Sequence, residues 1–363
     1  MGRGMMKILD WYILKRYLFT FLMMLLLFIP IGITVNLAEK IGKILEKEVP
    51  FPAVAQYYLD FTIYFAHLLF PIFLFLSVIW FTSKLANNTE IVAFLSSGVS
   101  YWRFLRPYMI GATIVAAFAI LMGLYLAPNA SAGFNQFKYK YLKGHKKAVQ
   151  TNNIYRQVNE NDFIYVSSFN PSTKVGRNFS LEHVDGNVLK YKITASNIRY
   201  VEEDSLYRLS SYTKRRFYDN KEILETASKK DTIFPFDAED LTPEEYIAET
   251  LPYPELIDFI EKERQRGSSN IGRYLVVKYK KWSLPVSVFI LTIIAVAVSS
   301  IKRRGGMGVN LAFGITIAMV YVFFDKVFGV MAEQSSFNPL IAVWFPNIIF
   351  GVLAVYLLNN AKR

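Results

Sequence analysis

Six apolar segments, each near the length that crosses a bilayer, are divided three and three by one long polar insert. The segments cover residues 17–37, 61–83, 104–127, 282–301, 309–330 and 339–358, and the insert occupies 128–274. Hydrocarbon admits stretches of about 20 apolar residues as helices, because every backbone N–H and C=O must be bonded within the segment. The layout excludes a soluble enzyme. It predicts an α-helical membrane bundle of six transmembrane helices with one inserted β domain. The expected regions are 1–127 with helices 1–3, 128–274 with the β domain and a helical connection at its C-terminal end, and 275–363 with helices 4–6.

The charge is as unevenly divided as the hydropathy. Of the formal +12, residues 128–274 contribute little, with 22 Lys/Arg against 21 Asp/Glu, whereas the remainder carries 19 against 8. Arg3, Lys7, Lys15 and Arg16 precede the first span, and Lys84, Arg103 and Arg106 flank the link between the second and third. Lys302, Arg303 and Arg304 follow the fourth, and Lys362 and Arg363 end the sequence. With six spans all four clusters fall on one side, which the positive-inside rule makes the cytoplasm. Both termini are then expected in the cytoplasm and the insert outside it. The basic excess is thus a topology signal, and no basic patch with aromatic readers points to nucleic acid. The first apolar run is long and lacks a small-residue cleavage site, so it predicts an uncleaved anchor. The chain has no cysteine, which removes disulfides and thiol nucleophiles from consideration.

Within the insert, short runs rich in aromatic and β-branched residues at 154–158, 163–169, 178–183, 188–194, 196–201, 207–217 and 223–228 predict seven or more strands. Asp185-Gly186 offers the positive φ of a tight hairpin, and polar breakers at 159–162, 170–173 and 219–221 separate other runs. A sandwich, a jelly roll and a curved half-open barrel all satisfy this pattern. Helix signals follow. Thr242, Pro243 and Glu245 match a capping box, and 254–266 places Leu256, Phe259 and Ile260 on one face before Gly267. That helix is expected at the junction of insert and membrane, as a packing strut. Pro30, Gly32, Pro71 and Pro346 lie inside spans, where they serve equally as ordinary kinks or as points at which a bundle opens.

Catalytic chemistry is absent from the pattern. No P-loop occurs, so ATP hydrolysis by that route belongs to another chain. His67, His145 and His183 have no metal-ligand spacing, and His67, inside a span, reads as a packed neutral side chain. No catalytic residue, cofactor or metal is expected. The link between spans 2 and 3 is more specific. Residues 87–98 predict a short helix with Asn87 as N-cap, Glu90 at its third position and Gly98 as its stop. Glu90 is then a capping carboxylate or the contact of a coupling helix, held by two spans, that docks in a groove of a soluble partner.

Several short motifs in order carry a resemblance. Leu9-Asp10-Trp11-Tyr12-Ile13, Phe70-Pro71, Glu90-Ile91-Val92 through Ser97-Gly98, and the run from Tyr321 to Gly329 with Asp325-Lys326 at its centre resemble the LptF/LptG lipopolysaccharide-export permeases, more closely the LptG type. The resemblance covers the membrane part; the insert matches in size and position. It implies a permease subunit of an ABC transporter in the bacterial inner membrane, a heterodimer with an LptF-type sister permease, and an LptB-type ATPase dimer. It also implies a periplasmic β-jellyroll-like domain passing lipopolysaccharide to an LptC/LptA-type bridge. Asn87, Glu90, Ile91 and Phe94 become candidates for ATPase coupling.

Burial is worth about 0.8 kcal/mol per CH₂, so an acyl chain of about 12 carbons resists water by roughly 10 kcal/mol. Such a substrate must pass from bilayer to apolar cavity to apolar β groove, entering between spans 1 and 5. Phe21, Phe28, Phe65, Phe70, Phe313 and Phe324 are available as walls, with Phe28, Phe70 and Phe324 the substrate-contact candidates. At the outer rim, Lys40 and Lys43 are candidates for lipid phosphates or for pairing with Glu39 and Glu46, while Lys278 and Lys281 read as snorkelling, solvated lysines. Asp325, also a contact candidate, either orients span 5 at the opening or is neutralised locally by Lys326. A permease for another lipid, a membrane-anchored sensor or scaffold, and a membrane-embedded lipid-modifying enzyme are the alternatives. The last two lack an output module and a convergent acid–base cluster.

Overall fold

The structure, a computed structural model, describes residues 7–142, 152–170, 173–201, 206–218, 221–234, 236, 246–268, 270–301, 306–334 and 337–361. The capping box at 242–245, His145 and the basic residues Arg3, Lys302–Arg304, Lys362 and Arg363 lie outside the described residues. The chain divides into two compact units, residues 1–138 with 249–253 and 275–363, and residues 139–248 with 254–274.

The first unit holds all six spans anticipated from hydropathy, in longer helices. They are α1 (Ile8–Glu46), α2 (Phe51–Asn87), the third span Tyr101–Leu142, α8 (Ile271–Ser299), α9 (Gly306–Glu333) and α10 (Pro339–Ala361). The 39 residues of α1 make a rod of about 58 Å against a hydrocarbon core of about 30 Å, so it projects well beyond the bilayer. Helices α1, α2 and α10 run unbroken through Pro30, Pro71 and Pro346. Gly32 permits close contact of α1 with α2, since a Cβ there would collide with the Phe65 ring.

Burial ranks the helices. The apolar window of α8 is 67% buried, that of α9 22% and that of α1 only 11%. Small residues explain the central place of α8: Ser287, Ala295, Ala297 and Ser299 are buried along it, and such residues let neighbouring helix backbones approach. The third span is composite. Helix α4 (Tyr101–Leu121) passes through a π turn at Met122–Leu126 into α5 (Ala127–Phe137), and a second π turn covers Lys138–Leu142. Short helix α3 (Glu90–Ser96) joins α2 to α4.

The second unit is the anticipated β domain. Six strands, β1 (Asn152–Gln157), β2 (Asp162–Asn170), β3 (Val175–Asp185), β4 (Val188–Val201), β5 (Leu206–Tyr218) and β6 (Lys221–Thr232), form one antiparallel sheet in sequence order, with β1 and β6 at its edges. Among the described residues the count is six, not the seven or more expected from sequence, because 188–194 and 196–201 are one strand. Ala195 is no breaker; it pairs with Phe179 in register and lies in the core. The β3–β4 hairpin turns on Gly186 and Asn187, with φ of 61° at Gly186 alone, as a tight turn with glycine at its first central position requires. Alternation puts Ile164, Val166, Phe179, Leu181, Ile193 and Leu209 into one buried face, which Phe234 and Phe236 join after β6.

Helix α6 (Ile247–Thr250) precedes α7 (Tyr253–Gln265). Leu256 and Ile260 of α7 are buried, Phe259 meets Tyr274 edge-on with ring centroids 5.0 Å apart, and Gly267 follows the helix with φ of 62°. Its firmest tie to the sheet is ionic. Arg156 of β1 pairs with Glu263, both side chains being less than a tenth exposed, and Gln157 N–H donates to Arg266 O at 2.7 Å. Helix α7 is thus fastened to the end of β1.

Candidate functional site

The link between α2 and α4 is a tight, polar-braced knuckle. Burial of Leu85 and Ala86 holds α2 helical through Asn87, Asn88 N–H still donates to Lys84 O at 3.0 Å, and Thr89 reverses the chain at φ 62°. Helix α3 therefore begins on Glu90. This corrects the reading of Asn87 as N-cap and of Glu90 as third helical residue, because an N-cap needs non-helical backbone and Asn87 is helical. Gly98, at φ 86°, is at the stop as expected.

Glu90 is instead a hub. Its Oε2 accepts from the Tyr12 hydroxyl at 2.9 Å and its Oε1 from Asn88 Nδ2 at 3.3 Å. Ile91 is buried in the bundle core and Phe94 packs against it, whereas Val92 and Leu95 are exposed. One side of α3 is thus anchored and the other presents apolar side chains. Beside it, the buried Asp10 carboxylate takes both Nη atoms of Arg103, the Nη2 contact being 2.6 Å, and accepts from Lys7 N–H at 2.9 Å. Ser100 caps α4 by accepting from Arg103 N–H. Asp10 and Arg103 lie 93 residues apart in the sequence, so no local pattern pairs them. The available signal is that Asp10 is the sole carboxylate among the first 38 residues, and a carboxylate beside an apolar run requires a cation.

The aromatic candidates separate. Phe70 is buried and meets Phe21 edge-on at 4.9 Å, which makes both core packing. Phe28 is half-buried and stacks on Phe73 at 4.9 Å, and Phe324 is half-buried and stacks on Phe328 at 6.0 Å. Phe313 is exposed. Between α2 and α9 lies a crevice of about 300 Å³ lined by apolar side chains, among them Ile72, Leu76, Ile315, Met319, Val322 and Phe323. Lys40 pairs with its neighbour Glu39 at 3.1 Å, and Lys43 is exposed one turn on.

Two adjacent lysines of α8 correct the account of the rim. Lys280 pairs with Asp325 at 2.9 Å, so Asp325 is paired across to α8 rather than neutralised by the neighbouring Lys326. Lys281 is buried, not snorkelling, and its Nζ donates to Gly123 O at 2.8 Å. The reason lies in the third span. In the π turn Ala127 N–H bonds Met122 O; the same five-residue step from Gly123 lands on Pro128, which has no N–H. The freed carbonyl takes a lysine instead. The His67 ring borders Gly123, and its buried Nδ1 has no hydrogen-bond partner among the described residues. No group of His, Asp and Glu able to hold a metal occurs among the described residues.

Comparison with known proteins decides the family. The model of the lipopolysaccharide export system permease family LptF/LptG matches residues 11–360. The chain belongs to that family. Among its relatives, the lipopolysaccharide export system permease protein LptG of Escherichia coli (strain K12) is 20% identical over 357 residues, covering 97% of this chain and 98% of the relative. The LptG of Haemophilus influenzae (strain ATCC 51907 / DSM 11121 / KW20 / Rd) is 20% identical over 303 residues, or 81% and 82%. This family member is a multi-pass membrane protein with a β domain, and the resemblance read from its short motifs holds over nearly the whole chain.

Proposed function

We propose that the chain is a permease subunit of an ABC exporter in the inner membrane, extracting lipopolysaccharide from the outer leaflet and passing it through its periplasmic β domain toward the outer membrane. Both termini lie in the cytoplasm in this reading, and the partners are an LptF-type sister permease, an LptB-type ATPase dimer and an LptC/LptA-type bridge. The observation that carries it is α3: a short helix clamped between two spans, anchored through Ile91 and Glu90, with Val92 and Leu95 turned outward. Two spans and a buried anchor make it stiff enough to transmit a push from a soluble motor. Asn87, Glu90, Ile91 and Phe94 form the coupling site, with Asn87 ending the helix that supports it.

Substrate enters between spans 1 and 5, α1 and α9, of facing subunits. These are the two least buried spans, and the apolar crevice beside α9 suits acyl chains. Phe28 and Phe324 contribute side walls, Phe70 holds the helices behind them, and Lys40 and Lys43 meet lipid phosphates. The Asp325–Lys280 pair steadies α9. In the β domain, edge strand β6 is largely exposed, Ile223 and Leu224 included, and an edge of this kind suits strand addition by a bridge protein.

Isolation of the chain from its native membrane, with mass analysis of everything bound, tests the reading. The expected result is an ATPase, a second permease and lipopolysaccharide in one complex. An isolate with a signalling protein, or with no nucleotide-hydrolysing partner, would contradict it.

A further inference from the structure

Helix α1 is the least buried span, yet its first turns are gripped twice by the knuckle between α2 and α4. Glu90, at the start of α3, accepts from Tyr12, and Arg103, at the start of α4, holds Asp10 with both Nη atoms. The two contacts are reinforced. Arg16 lies 4.4 Å over the Tyr12 ring, and Lys7 N–H fixes the Asp10 carboxylate from its other side. Bidentate guanidinium–carboxylate pairs resist both sliding and rotation. Farther along α1, among the described residues, side-chain hydrogen bonds to other helices join Tyr17 to Thr292 and Asn36 to Tyr57, each through a single contact. A displacement of α3 therefore acts on the loosest helix of the bundle through its best-held end.

We propose that Tyr12 and the Asp10–Arg103 pair are positioning residues that carry a motor-driven shift of α3 into α1. This rests on the coupling reading of α3 given above. It adds which helix moves and which side chains move it. Asp10 and Tyr12 touch no substrate in this role; they set where α1 stands when α3 is pushed.

The chain has no cysteine, so spin labels can be placed at Leu26 of α1 and Val286 of the central α8, both exposed, without removing a native thiol from it. Distances between the labels are measured in the complete complex, nucleotide-free and trapped with ATP and vanadate. The expected result is a nucleotide-dependent shift in the otherwise native chain. Tyr12→Phe, which removes one hydroxyl, and Asp10→Asn, which keeps the side chain's shape, each abolish most of the shift while the motor stays bound and hydrolyses ATP. ATP consumed per lipid released rises roughly tenfold, the factor expected from losing one hydrogen bond to a charged group. A shift of native size in both variants overturns the proposal, and so does a motor-bound native complex in which α1 does not move. Failure of any motor to bind the native chain contradicts the coupling reading instead.

Discussion

Glu90→Ala is expected to uncouple the permease from its motor without unfolding it. Within the chain the carboxylate accepts from Tyr12 and Asn88; in the proposed coupling role it also meets a basic residue of the motor, and loss of such a hydrogen bond costs about 1.5–3 kcal/mol, or roughly a 10- to 100-fold loss of motor affinity. The helix itself should persist, because Ile91 remains buried and Phe94 packed. Lipid export in cells and motor co-isolation should therefore fall together while the amount of chain in the membrane stays constant. Glu90→Gln separates the causes: it retains an acceptor for the Tyr12 hydroxyl and loses the charge. Intermediate export with Gln and none with Ala is the expected order. Native export and motor binding in Glu90→Ala would remove α3 as the coupling element.

Glu263→Ala is expected to have the largest effect on stability. Its carboxylate and Arg156 are both buried within the second unit, and truncating one member breaks the ion pair while the other's charge stays buried. Such breaks cost about 3–5 kcal/mol, a large share of the stability of an ordinary domain. Hydrogen exchange of the β1 and β2 amides in the full-length chain reads this directly, with an acceleration of roughly a hundred- to several thousand-fold. Replacing both residues with methionine should cost less, since no buried charge remains. Unchanged exchange in Glu263→Ala would mean that α7 is not fastened to β1 through this pair.

The spans were legible in the sequence because a bilayer imposes a constraint that a single segment must satisfy alone. The β domain was legible from alternation, and the Gly186 hairpin from turn chemistry. Where reading failed, the deciding partner lay elsewhere in the chain. Ala195 reads as a gap between strands until Phe179 stands opposite it across the sheet. Asn87 reads as a cap until the buried end of α2 carries the helix through it. Asp325 was singled out with Lys326 beside it, although its partner Lys280 is 45 residues away. Lys281 looks like a solvated lysine until a π turn 158 residues away exposes a carbonyl that Pro128 prevents the backbone from satisfying. A short helix between spans 2 and 3 was legible from local signals, but the Tyr12–Glu90 and Asp10–Arg103 contacts beside it span 78 and 93 residues, beyond any local pattern.

In the proposed role the chain moves lipopolysaccharide with energy from a separate ATPase. The most direct measurement of that role is a reconstitution: the isolated complex in proteoliposomes containing lipopolysaccharide and phospholipid, with a soluble β-bridge protein outside as acceptor. The expected result is ATP-dependent appearance of lipopolysaccharide on the acceptor, absent without ATP and abolished by Glu90→Ala, with phospholipid left behind. Transfer that proceeds equally without ATP, or that delivers phospholipid in place of lipopolysaccharide, would contradict it.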